Sequence, residues 1–250
     1  MIGAIIGDLV GSRFEFKNHR DKHFEFLHKK CRFTDDTVCT VAVADAILTN
    51  IPYKDSIVKW CRKYSHAGYS HRFQQWIKNP IPYASFGNGA IMRISPFGYT
   101  RKNVFADIDS EVYKAVSCSH DTDIARQYAL CLVQGIQDCL KGDREGILKR
   151  VAALSIKLDE SLDHLRKTNR FDATCQGSFP QAVLCFKESR SFEDAIRNAI
   201  SIGGDSDTIA NITGALAGAY YGVPQEMTKA LKGYLPEDMY EVIMKFQQEV

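Results

Sequence analysis

The sequence predicts an all-α fold, and three observations predict it. Apolar residues recur at helical spacing along almost the whole chain. The one strand-like alternation is the short stretch 23–27 (HFEFL). Two segments, 37–49 and 209–221, are apolar on nearly every side, as helices in the interior of an assembly are.

The elements follow in order. Residues 3–15 (GAIIGDLVGSRFE) carry glycines at 3, 7 and 11, spaced to lie on one helix face and admit a close neighbour. Residues 37–49 (TVCTVAVADAILT) predict a buried helix. Residues 124–140 repeat apolar side chains at Ile124, Tyr128, Leu132, Ile136 and Leu140 and stop at Gly142. Ser191 to Asp194 resembles a capping box opening another helix, which Gly203 and Gly204 end. The Ala/Gly-rich helix 209–221 follows. The tail, 236–248, starts with proline in its first turn and directs Met239, Val242, Ile243 and Phe246 inward. Between these lie two long polar stretches, 65–101 and 167–180, read as loops, and loops of that length in a compact domain usually carry function.

At 250 residues, 45% hydrophobic and 25% charged, the composition is that of a soluble globular protein, and one domain spanning 1–250 is expected. The 32 basic residues nearly balance the 30 acidic ones, for a net charge of +2, without long single-sign blocks. Dedicated nucleic-acid binding and an anionic-membrane surface are therefore not expected. Cys31, Cys39, Cys61, Cys118, Cys131, Cys139, Cys175 and Cys185 form no Cys-x-x-Cys pair and read as reduced core residues. The N-terminus has no basic leader, and Asp8 interrupts its apolar run well short of a membrane span, so a cytoplasmic enzyme or binding protein is expected.

Two acidic clusters precede the most apolar helices. Thr34, Asp35, Asp36 and Thr37 precede one; Asp205, Ser206, Asp207 and Thr208 precede the other. Helix capping accounts for one side-chain oxygen at each start, and both clusters hold more than that. No lysine or arginine lies between Arg197 and Lys229 to neutralise the second. Crowded carboxylates keep their protons unless a cation intervenes. Carboxylate and hydroxyl oxygens select Mg²⁺, Mn²⁺ or Ca²⁺ over zinc, and the spacing is not that of an EF-hand. If the two helix starts converge, with Asp8 or Glu15 beside them, they can hold a metal pair roughly 3.5–4 Å apart, as two-metal hydrolytic sites do. Asp8 and Glu15, seven apart, fall roughly on one helical face; the alternative is a packing helix ending at a solvated Glu15.

Two weaker features follow. Ser85 to Arg93 (SFGNGAIMR) offers a backbone-amide cradle for phosphate with Arg93 as charge partner, or simply a turn. Ser119-His120-Asp121 offers a histidine to an anionic or hydroxylated ligand, or is a capping run; adjacency alone does not make a triad.

Together, GAIIGDLVGSRFE, FTDDT, SFGNGAIMR, SCSH and SIGGDSDTIANITGALAGAYYG, in this order over residues 3–222, resemble the ADP-ribosylglycohydrolase family. The resemblance implies a compact orthogonal helical bundle with two magnesium or manganese ions. It implies Thr34, Asp35, Asp36, Asp205, Asp207 and Thr208 as metal ligands and Glu15 in catalysis or in gating. It places Asn88, Gly89, Ala90, Met92 and His120 along the ADP-ribose diphosphate and ribose, with Gln176 in a further loop near the substrate.

The implied reaction is hydrolysis of the glycosidic bond between ADP-ribose and an acceptor, either a protein side chain such as arginine or a small conjugate. Carboxylates suit the positive charge that develops at the anomeric carbon. Glu15 is the expected general acid/base, with Asp36 its rival, since a residue with several metal bonds is a poor base. Two alternatives stand beside this. A non-catalytic ADP-ribose-binding or immunity module would keep the pocket without turnover. An isoprenoid-synthase-like enzyme would need Asp-Asp-x-x-Asp, and the run from Asp35 to Cys39 lacks the last aspartate. Linkage, physiological metal and oligomeric state are left open.

Overall fold

A computed structural model describes residues 1–101 and 104–249. Among these, fourteen α-helices follow one another: α1 (Ile2–Gly11), α2 (Asp35–Thr49), α3 (Tyr53–Lys63), α4 (His71–Lys78), α5 (Ser95–Tyr99), α6 (Ile108–Ser117) and α7 (Asp123–Leu140) in the first half. The second half holds α8 (Arg144–Ala153), α9 (Leu162–Thr168), α10 (Cys175–Lys187), α11 (Phe192–Ser201), α12 (Ser206–Tyr221), α13 (Gln225–Ala230) and α14 (Glu237–Glu249). The described residues form no sheet, only the isolated bridges Tyr83–His120 and Gly87–Thr174. The alternating stretch 23–27 is irregular backbone; its Phe24 and Phe26 pack beneath the Arg197 guanidinium instead of pairing with a strand.

α1 and α12 form the centre. Every residue of α1 is buried, and its Ile and Leu side chains each contribute about 1.5–3 kcal/mol by leaving water. The three glycines allow backbone to lie on backbone. A Cβ at Gly3 would fall on the Gly214 carbonyl, one at Gly7 on the Ala210 carbonyl, and one at Gly11 on the Ser206–Asp207 backbone. The last contact brings the end of α1 to the start of α12. α2 lies against α1 and is buried from Asp36 to Ala46, as its apolar circumference requires. α7, α10 and α11 surround α12, and α14 closes over α2 with Met239, Ile243 and Phe246 inward and Val242 half-buried.

The two stretches read as loops are not continuous loops. Residues 65–101 contain α4, a 3₁₀ turn at Asn88–Ala90 and α5; residues 167–180 contain the end of α9 and the start of α10. α4 carries only a weak periodic signal because it is short and polar outside, with Phe73, Trp76 and Ile77 as its buried face. Pro180 sits inside α10, in its second turn, where it removes the N–H that would otherwise bond the Gln176 carbonyl. At α11, Ser191 accepts from Asp194 N (3.1 Å), but the return bond of a capping box goes elsewhere: Asp194 accepts from Arg190 N (3.0 Å) and pairs with Lys22. All eight cysteines are free, and all but Cys118 are buried. No described helix is long and apolar enough to cross a membrane.

Candidate active site

Asp35 and Asp36 start α2, Asp205 and Asp207 start α12, and all four line one cavity of about 440 Å³. Glu15, Asn88, Gly89, Met92, His120 and Thr208 share its wall. Thr34, Ala90 and Gln176 do not: Thr34 lies behind Asp35, Ala90 is in the core, and Gln176 is exposed on the first turn of α10.

Asp8 explains how α2 is aimed. Fully buried on α1, it accepts from Thr34 N (3.0 Å), Thr34 Oγ1 (2.6 Å), Thr37 N (3.2 Å) and the Thr37 hydroxyl. Asp8 thus caps α2 from a neighbouring helix, and is not on hand for a cation. Thr34 Oγ1, which gives its proton to Asp8, accepts from Asp36 N (3.3 Å) as the N-cap. Capping of α2 is therefore complete without Asp35 or Asp36.

The second cluster is held by backbone turns. Gly203 and Gly204 have φ of 65° and 84°, a region that favours glycine. Asn18 bonds both ways to Gly204, receiving from its N–H (3.0 Å) and donating to its carbonyl (2.9 Å), while Asn169 donates to Gly203 O (3.0 Å). Because Asn18 also donates to Glu15 O (3.2 Å), the irregular segment after α1 is fastened to this turn. Carboxylate oxygens of Glu15, Asp205 and Asp207 consequently lie within 4.8 Å of one another. Glu15 is beyond the end of α1, so its place beside Asp207 comes from this fastening and not from a shared helical face with Asp8.

Hydrogen bonds join the pieces. Thr208 Oγ1 donates to Asp36 Oδ2 at 3.2 Å. Asn88 Nδ2 donates to Asp205 Oδ2 (2.7 Å) and Ser178 Oγ (2.8 Å), so its amide orients a carboxylate. Asp36 Oδ1 is buried with no hydrogen-bond partner. Among the described residues no lysine, arginine or histidine pairs with Asp8, Glu15, Asp35, Asp36, Asp205 or Asp207.

The acids respond accordingly. Burial, then the charges of Asp207 and Asp8, push the Glu15 carboxyl up to about 8. Burial pushes Asp205 up to about 6. Burial and the other carboxylates hold Asp35, Asp36 and Asp207 well above the ordinary range. An orphaned buried oxygen among like-charged carboxylates is a donor set that fits hard divalent cations.

The opposite wall is basic and aromatic. His120, buried under Gly87 and Gly89, is held well below the usual imidazole range by burial and by Arg93 and Arg72. The Arg72 guanidinium lies 4.3 Å over the Tyr83 ring. Phe16 and Phe171 stand exposed at the rim. The sequence alone does not single out Arg72, Tyr83 and Phe171, which lie in the stretches read as loops, or Phe16, which looks like an isolated exposed aromatic. The helical pattern of Phe73, Trp76 and Ile77 is the signal that points to α4 and hence to Arg72.

The ADP-ribosylglycohydrolase family profile matches residues 1–250. The chain is 25% identical over 258 residues to ADP-ribosylarginine hydrolase Tri1 of Pseudomonas putida, covering 89% of this chain and 70% of that protein. It is 24% identical over 326 residues to ADP-ribosylhydrolase ARH3 of Homo sapiens, covering 96% and 90%. A solved structure described as an ADP-ribosylglycohydrolase-related protein complex superposes with a TM-score of 0.72 at 22% identity, covering 99% of this chain and 96% of that one; this is a likeness of fold.

Proposed function

The chain belongs to the ADP-ribosylglycohydrolase family and is a glycosyl hydrolase, and from that premise we propose that it removes ADP-ribose from a side chain such as arginine, or from a small conjugate, with two divalent cations, Mg²⁺ or Mn²⁺. The observation that carries the metal dependence is the orphaned Asp36 Oδ1, buried among carboxylates that no cationic side chain pairs with. The names of both relatives support the substrate class. We take residues 1–250 to act as one domain.

Asp35, Asp36, Asp205, Asp207 and Thr208 would hold the cations, leaving Thr34 as a cap. Cations bound there supply positive charge that quiets the carboxylates, orients ribose hydroxyls and makes water more acidic. The chain's own residues do the rest. Asn88 fixes Asp205. Glu15 lines the cavity and is half-buried, which supports it as the carboxyl that moves a proton at the glycosidic atom. Asp36 suits that role less, since one oxygen is bonded to Thr208 and the other would be taken up by a cation. Gly89, Met92 and His120 line the wall for the diphosphate and ribose.

The test is a panel of arginine-linked, serine-linked and small-molecule ADP-ribose conjugates, each assayed with Mg²⁺, with Mn²⁺ and with chelator. Release of ADP-ribose from at least one linkage, lost in chelator, is expected. Undiminished release in chelator removes the metal mechanism, and no release from any linkage removes the proposed substrate class.

A further inference from the structure

Among the described residues Arg93 is the largest fully buried side chain, and no carboxylate among them pairs with it. Its Nη2 donates to Ala115 O (2.9 Å), Val116 O (3.4 Å) and Ser119 Oγ (2.7 Å), while Nε and Nη1 have no hydrogen-bond partner. Ser119 is itself fully buried, with Oγ 2.8 Å from His120 Nδ1.

The direction of these bonds can be worked out. A guanidinium has donors only, so Ser119 Oγ is the acceptor from Arg93. Its one proton then has His120 Nδ1 as its acceptor. Were Nδ1 protonated instead, Ser119 would accept twice and leave its own buried O–H only the Cys118 sulfur, a weak acceptor, a loss that folded interiors avoid. A neutral imidazole that accepts at Nδ1 carries its proton on Nε2. That atom faces the cavity beneath the glycine turn: a Cβ at Gly87 or Gly89 would come within 3.3 or 3.0 Å of it. No acceptor among the described residues pairs with Nε2.

We propose that Arg93 and Ser119 are positioning residues that lock His120 as its Nε2–H tautomer, so that the cavity wall presents a fixed N–H donor to an anionic oxygen of the ligand. The identity of that oxygen, one of the ADP-ribose diphosphate, rests on the function proposed above; the relay does not. Burial beside Arg93 and Arg72, the two cations facing the ring, keeps the imidazole neutral, with Tyr83 and Phe73 packed on its other sides. Arg93 thereby acts twice, through the Ser119 hydroxyl and through its charge.

The experiment is ¹⁵N NMR of the histidine rings, with His120 assigned among the seven histidines by its loss in H120Q. The wild-type ring is expected to show an unprotonated Nδ1 and a protonated Nε2, unchanged between pH 8 and 5.5. In Ser119→Ala the two tautomers mix, and ADP-ribose binds roughly 3- to 10-fold more weakly, as the loss of one hydrogen bond's orientation implies. A wild-type ring protonated at Nδ1, or a ring spectrum unmoved by S119A, overturns the proposal; the wild-type spectrum decides even if the variant fails to fold. A tautomer that mixes with no change in ADP-ribose affinity refutes the ligand contact. Absence of ADP-ribose binding by the wild type refutes the proposed function while the spectra still decide the relay.

Discussion

Thr208 Oγ1 donates to Asp36 Oδ2 at 3.2 Å, tying the first turn of α12 to the first turn of α2 across 172 positions of sequence. The bond satisfies one oxygen of Asp36 and leaves the other buried and bare. The two helix starts are thus held face to face, with their negative charge uncompensated by the chain. Removing a carboxylate, adding a cation and changing pH should therefore act on the same quantity.

Asp207→Ala, and likewise Asp35→Ala, should reduce turnover by at least about 100-fold, the scale on which even outer-shell changes act at metal sites. The fold should survive. In chelator the melting temperature of D207A should equal or exceed that of the wild type, because the cost of burying that carboxyl among the others, and of keeping it protonated, is gone. With Mg²⁺ the order should reverse. A variant that melts lower than the wild type in chelator would mean that Asp207 is held by favourable contacts and not by a cation.

The raised carboxyl groups set a pH dependence with a definite sign. The Asp205 and Glu15 carboxyls are pushed up to about 6 and about 8, above the values of an unfolded chain. Between the unfolded and folded values the native state keeps protons that the unfolded state has released. Stability of the metal-free protein therefore falls as pH rises through this window. Cations offset the charge, so the rise in melting temperature on adding Mg²⁺ should be larger at pH 8.5 than at pH 5.5. Equal rises in scanning fluorimetry at both values would disprove the coupling.

Helical periodicity made α2, α7, α12 and α14 legible in the sequence, because each buries a continuous face or its whole circumference. The excess of oxygen ligands before α2 and α12 made the acidic wall of the cavity legible as well. Three things were not. Asp8 reads from the sequence as a further oxygen ligand beside the metal pair, since nothing local shows that it caps α2 from across the fold. Asn88 looked like a turn residue facing ligand, yet its amide is bonded to Asp205, a partner 117 positions away. α4 was lost because eight residues give too few turns for a period to stand out, and with it went Arg72 on the basic wall. Long-range hydrogen bonds leave no periodic trace.

Glu15→Gln removes a titratable proton and keeps the shape and hydrogen-bonding reach of the side chain. If Glu15 moves the proton of the cleavage step, kcat should fall by about 10²- to 10⁴-fold. Mn²⁺ binding, followed by EPR or calorimetry, should stay within a few-fold of the wild type. Its oxygens lie within 4.8 Å of those of Asp205 and Asp207, so the metal measurement is the informative one. Parallel loss of cation binding and turnover would reassign Glu15 as a ligand, and unchanged turnover would give proton transfer to another carboxyl.

Gly7→Ala tests whether the approach of α1 to α12 positions the site. The added Cβ would fall on the Ala210 carbonyl, and helix backbone cannot yield as a side chain can. Overpacking of this kind costs about 1–3 kcal/mol, measurable by denaturant unfolding. Separating the helices also moves Gly11 off the Asp207 backbone, and with it the segment that carries Glu15. Activity should therefore fall by more than the unfolded fraction explains. Gly142→Ala is the control: Gly142 has φ of 79° and open space around it, so alanine there strains the backbone by about 1–2 kcal/mol without touching the cavity. If both variants lose stability and keep full activity, the glycine-lined contact serves folding alone, and Glu15 is positioned by the Asn18–Gly204 bonds without it.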